Sequence, residues 1–204
     1  SPYGSTSHAL ANQNAFNTFY GGKAIFYSSG HRTGFTDDHC MYAYRNTRAH
    51  NSILVNGMTQ TIGTEGYGWI PRYYVGEKIG YVLGDASNAY GKVISKSWLA
   101  RAKKEEVSFS PEAGWDDVKL KTFRRHIVEL GKTGFTFIYD ELEAEEPVTW
   151  SYLLHTVTNP MNVNMVNEFV HVQATSKNGI SDAYLLGSDE LKTDTTSQFF
   201  TPAT

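Results

Sequence analysis

The chain has 204 residues, of which 40% are hydrophobic and 19% charged, and a formal net charge of -3; that length can bury a substantial core. The slight acidity gives no electrostatic footprint for nucleic acid, although a local basic cluster can still serve an anionic ligand. No apolar run reaches membrane-spanning length, so no membrane partner is expected, and a single cysteine, Cys40, excludes an internal disulfide.

Thirteen Tyr, eleven Phe and eighteen Gly favour strands and turns over helices. From the opening Ser1-Pro2-Tyr3, without a Met, the chain is expected to be a piece of a longer protein. Phe16 to Tyr20 reads as a strand, Gly21-Gly22 as a two-residue turn and Ala24 to Tyr27 as the return strand. A Ser-, Gly- and Thr-rich loop, Ser28 to Asp38, leads to a short apolar strand, Ser52 to Val55, closed by Asn56-Gly57. Gly63 to Tyr74 reads as a long surface loop whose Trp69, Tyr73 and Tyr74 suit sugar stacking and equally the wall of a cleft, and Lys78 to Leu83 as a strand. In the segment 88–115 the charged run Arg101 to Glu106 fits a solvated helix turn or a loop tip. Thr122 to Leu130 and Phe135 to Tyr139 form a hairpin through Gly131 to Gly134. An acidic turn, Asp140 to Glu146, precedes a long strand, Val148 to Val157. Val163 to Val166, Phe169 to Ala174 and, after the turn Asn178-Gly179, Ile180 to Leu186 are further strands. Residues 189–204 read as a loosely ordered tail. Short strands punctuated by turns, without strand-helix alternation, predict an all-β fold, a two-sheet antiparallel β-sandwich, as a single domain over 1–204.

The densest chemistry lies between His39 and Gly57. His39, Tyr42, Tyr44, Arg45, Arg48 and His50 fall on one loop leading into a strand, the layout in which a sheet positions reactive loop residues. Tyr42 and Tyr44 flank Ala43, which puts both on one side of an extended segment. Arg45 and Arg48 suit bidentate pairing with carboxylates or structural ion pairs. Cys40 has no accompanying Cys-His motif and reads as a small buried residue. His126, His155 and His171 lie in strands and read as packing or sheet-face residues.

The run Ser1 to Phe16, the hairpin ending Tyr27-Ser28-Ser29-Gly30 and Arg45-Asn-Thr-Arg-Ala-His50-Asn51 resemble the C-terminal β-sandwich region of heparinase II/III-like polysaccharide lyases, with the alginate-lyase branch most similar. Phe123-Arg-Arg-His126, Ile138-Tyr-Asp140 and Trp150 to His155 are similar to that family's sheet core. The resemblance implies a lyase that cleaves uronate-containing polysaccharide by β-elimination and is incomplete without an N-terminal α/α-toroid, in a periplasmic or extracellular setting. It implies His8, with Tyr42 and Tyr44, as catalytic. Asn12, Asn14, His31, Arg32, Arg45, Arg48 and His50 are then substrate-binding. Several family members hold a metal through a His-x-His-x-Asp motif, a strand Asp and the His of Ala-His-Asn. Here Leu10 stands at the second His, Asn12 at the Asp and Ser28 at the strand Asp. No metal and no cofactor are therefore expected, and His50 becomes a buried histidine bonded to a backbone carbonyl or orienting a neighbour. The alternative from a different class is a non-catalytic carbohydrate-binding or structural β-sandwich module.

Overall fold

The computed structural model describes residues 10–29, 37–157, 161–177 and 179–200. The fold is an all-β antiparallel sandwich, as the sequence predicts, and among the described residues its layers are built from four short antiparallel sheets. The first is a hairpin, Phe19–Tyr20 (β1) and Lys23–Ala24 (β2), with Phe19 facing Ala24 and Tyr20 facing Lys23. Gly21 and Gly22 both take positive φ, 53° and 72°, the backbone that matches a two-residue turn to strand twist.

Ile53–Val55 (β3) pairs with Trp150–Tyr152 (β8). Trp69–Val75 (β4), Gly80–Asp85 (β5), Leu120–Glu129 (β6) and Thr136–Ala144 (β7) form a sheet in that order. Asn162–Val166 (β9), Phe169–Ser176 (β10) and Gly179–Leu185 (β11) form the last, with β10 central.

Three expectations need correction. The Gly- and aromatic-rich stretch from Gly63 is a loop only at first, because Trp69–Val75 pairs with β5 as an edge strand. The acidic run expected as a turn begins inside β7, where Asp140 and Glu141 face Arg125 and Arg124 on β6, so cross-strand charge pairing overrides turn propensity. The segment Val148 to Val157 is strand only over Trp150–Tyr152, with an isolated bridge from Thr156 to Phe26. Asn178, the first residue of the last predicted turn, lies outside the described residues.

An α-helix, Lys96–Lys104 (α1), includes the first part of the charged run. Trp98 and Ala102, four apart and so on one face, are buried, while Arg101, Lys103 and Lys104 fill the last turn, where cations suit the helix dipole.

The core has three parts. Ile53 and Val55 of β3 meet Phe123, Leu120 and Leu142 of β6 and β7, together with Trp150 of β8, which holds two sheets face to face. Ile25 and Phe26 pack on Val170, Val172 and Ala174, the inward residues of β10. Met41, Tyr42, Ile62, Trp98 and Trp115 form the third part beside α1. Arg125 ties the first part to the N-terminal segment. It is 1% exposed and pairs in bidentate fashion with Asp140, 2.7 Å at both oxygens. Its Nη1 donates to the Asn14 carbonyl at 2.6 Å and to that of Asn51 at 3.2 Å. The ring centres of Phe16, Phe123 and Tyr152 lie 5.4, 5.6 and 5.3 Å from the guanidinium.

Candidate functional site

The segment that carries most of the predicted site is not extended. Cys40–Tyr44 is a π-helical turn and Thr47–Ala49 a 3-10 turn. Residues two apart on a helical turn do not share a face, so the expected common side for Tyr42 and Tyr44 is lost. Tyr42 points into the core, where its hydroxyl accepts from the Ser108 N–H at 2.7 Å. Tyr44 is half-buried, and its carbonyl faces His50. The Asn46 side chain accepts from the Arg48 N–H at 2.9 Å and caps the 3-10 turn.

His50 is buried between two partners. Nε2 lies 3.1 Å from the Tyr44 carbonyl, which can only accept, so Nε2 carries the proton and donates. Nδ1 then accepts from the Ser28 hydroxyl at 2.9 Å. Burial pushes the imidazole down to about 4, against the opposing pull of the Tyr44 carbonyl; nearby His155 lowers it further. The ring is therefore neutral and its one lone pair is used. A metal needs that lone pair, and a neutral serine hydroxyl is a poor ligand beside it. With Leu10 at the second motif position, these residues do not fit the metal that the family resemblance brings to mind. Among the described residues no three His, Cys, Asp or Glu side chains gather as a metal set.

The next residues extend this anchor. The Asn51 amide donates to the Phe16 carbonyl at 3.0 Å, and its Oδ1 accepts from the His155 N–H at 2.8 Å. His155 Nε2 donates to the Arg48 carbonyl at 2.9 Å, and burial lowers its pKa. Asn14, at φ 57°, donates from its side chain to the carbonyls of Gly84 and Phe123 at 3.2 Å each. Asn12 is half-buried, and its carbonyl accepts from the Ala15 N–H at 3.1 Å.

Arg45 is buried at 1% exposure, with its guanidinium 5.1 Å from the Trp98 ring centre. Arg48 is partly buried. It donates to the Gly57 carbonyl at 3.3 Å and lies 5.1 Å from the ring centre of Phe200. His8, His31 and Arg32 lie outside the described residues.

An open groove runs between β7 and β8 on one side and β11 with the segment 186–200 on the other. Ser28, Tyr42, Arg48 and His155 also line it. Its walls carry Asp140, Glu141, Glu143, Asp182, Asp189, Glu190 and Asp194 against Arg48 and Lys192. That balance disfavours a polyanion and leaves Arg48 and Lys192 as the lining side chains suited to a carboxylate.

Sequence reasoning missed the Arg125–Asp140 pair and the Ser28–His50 bond. A signal for the first was present. Phe123, Arg125 and Ile127 alternate on the inward face of β6, and an arginine at such a position requires a buried acid opposite. Asp140 occupies that place. The Ser28–His50 bond joins residues 22 apart and had no such local signal.

Fold and site together define an antiparallel β-sandwich module with a histidine-centred polar anchor beside an open groove. A model of the heparinase II/III-like, C-terminal family matches residues 1–200, and the chain belongs to that family, one of polysaccharide lyases. No curated protein matches the chain.

Proposed function

We propose that this chain is the β-sandwich part of a lyase that cleaves uronate-containing polysaccharide, alginate or a glycosaminoglycan-like polymer, by β-elimination. The family match over residues 1–200 carries the reading. The enzyme works outside the cytoplasm and completes its site with an N-terminal α/α-toroid. The reaction removes the proton alpha to the uronate carboxylate and expels the 4-linked sugar. It needs a base, an acid for the leaving oxygen, and donors or cations at the carboxylate as charge builds there.

On this reading His8 exchanges the proton, and Tyr44, Arg48, His31 and Arg32 are further contacts to substrate. His50, neutral and fully bonded, fixes the backbone at Tyr44 and Ser28 and so acts as a positioning residue. Ultraviolet absorbance of the unsaturated uronate product tests the proposal. The full-length protein should form that product from alginate or heparan sulfate, and the 204-residue chain alone should not. Absence of product from the full-length protein on both substrates overturns it.

The burial of Arg45, Tyr42 and His50 favours a second reading, a carbohydrate-binding module without chemistry. A full-length protein that binds polysaccharide in a retardation gel and forms no unsaturated product decides for it.

A further inference from the structure

β10 and β11 turn their alternate residues to opposite sides. Val170, Val172 and Ala174 face the core. His171 and Gln173 therefore face outward, and the register sets Tyr184 and Asn164 on either side of His171, with Asp182 and Asn162 on either side of Gln173. These side chains are organised. Asp182 Oδ1 accepts from His171 Nε2 at 2.8 Å and from Gln173 Nε2 at 3.0 Å. The His171 and Tyr184 rings stack at 4.6 Å with 10° between their planes. Tyr184 is nevertheless 61% exposed, so much of its ring is open to solvent. Asn162, Asn164 and Asp182 are exposed as well.

We infer that this face of β9–β11, whose Asp182 and Tyr184 also line the groove, is a binding platform for a neutral pyranose sugar that does not use Arg48 and is independent of the lyase reading. An exposed aromatic ring offers a flat apolar surface, which suits the C–H face of a pyranose, beside polar groups already fixed in place. Asp182 holds both its donors through Oδ1, which leaves Oδ2 to accept from a sugar hydroxyl. The amides of Asn162 and Asn164 can each donate and accept. Tyr184 and Asp182 are two residues apart on one strand, roughly 6.8 Å, so one sugar ring can lie on the tyrosine while its hydroxyls reach the carboxylate. The charge of the face selects the ligand. Its carboxylate is held ionised by the Gln173 and His171 hydrogen bonds, and no Lys or Arg ion pair to Asp182 occurs among the described residues. A uronate would meet like charge there, and a neutral diol would not.

Affinity gel electrophoresis of the 204-residue chain tests this with galactomannan and hydroxyethyl cellulose as neutral polymers and alginate as the charged one. The chain should be retarded by at least one neutral polymer. Tyr184→Ala should weaken that retardation at least tenfold, Tyr184→Trp should retain it, and Asp182→Ala should weaken it. Circular dichroism confirms that the variants keep the wild-type fold, which the exposure of Tyr184 allows. No retardation by either neutral polymer, retardation unchanged in Tyr184→Ala, or retardation by alginate alone each overturns the inference. Product formation by the full-length protein is read on uronate polymers and retardation of the 204-residue chain on neutral ones, so failure of this proposal and failure of the lyase reading are separate results.

Discussion

Asp140→Ala should be among the most damaging single substitutions in this chain. Arg125 is buried with its charge, and Asp140 supplies two of the four hydrogen bonds that hold the guanidinium. Burial is the largest influence and opposes that charge, but the bonds to Asp140 together with the charge interactions of Tyr152, Asp140 and Tyr90 outweigh it and raise the pKa of Arg125. The variant cannot relieve the strain by losing a proton, because an arginine stays charged. Removing one partner of a buried pair costs about 3–5 kcal/mol, since the other charge is left uncompensated. Domains are typically stable by only about 5–15 kcal/mol, so the loss is a large share. At roughly 2–4 °C per kcal/mol for a chain of this size, the midpoint should fall by roughly 6–20 °C. Thermal and urea unfolding followed by circular dichroism measure both quantities. The double variant Arg125→Met/Asp140→Leu should recover much of the loss, because it removes the orphaned charge along with its partner. A loss of less than about 1 kcal/mol in Asp140→Ala would refute the claim that this pair anchors the sheet to the N-terminal segment.

Three other outcomes are expected. The folded-state pKa of His50 lies below its unfolded value, so the unfolded chain binds the extra proton first; stability present above about pH 6.5 should fall by about 3 kcal/mol as pH drops towards 4. His155 acts in the same direction, and urea midpoints across that range should show a shallower slope in His50→Gln; an unchanged slope counts against the buried neutral ring. Gly114→Ala should cost about 1–3 kcal/mol by urea unfolding, because Gly114 sits at φ 90° and an added Cβ would come within 2.6 Å of Arg48 Nη2; a neutral result would show that the turn and Arg48 both relax freely. In the full-length protein, His8→Ala should lower turnover by roughly two to four orders of magnitude, the range for a lost general acid or base, and full activity would remove His8 from the mechanism.

Local pattern in the sequence determined most of the strands. Gly21-Gly22 can take positive φ at little cost, and the alternation in Phe169 to Ala174 has the period of a half-buried strand, so both were readable without knowing any neighbour. The family was legible too, because Arg45 to Asn51 and Phe123 to His126 are local runs of residues. What local pattern could not show was the partner of each polar side chain. Trp69–Val75 looks like loop until β5 supplies its hydrogen bonds, and Asp140 looks like turn until Arg125 stands opposite. The same limit held at the site. Arg45 and His50 are of the residue types that bind a uronate, and only the fold buries one against Trp98 and closes the other between Ser28 and Tyr44. Residue type sets what a side chain is able to do, whereas burial and the identity of its neighbours, brought together from distant parts of the chain, decide which of those things it does.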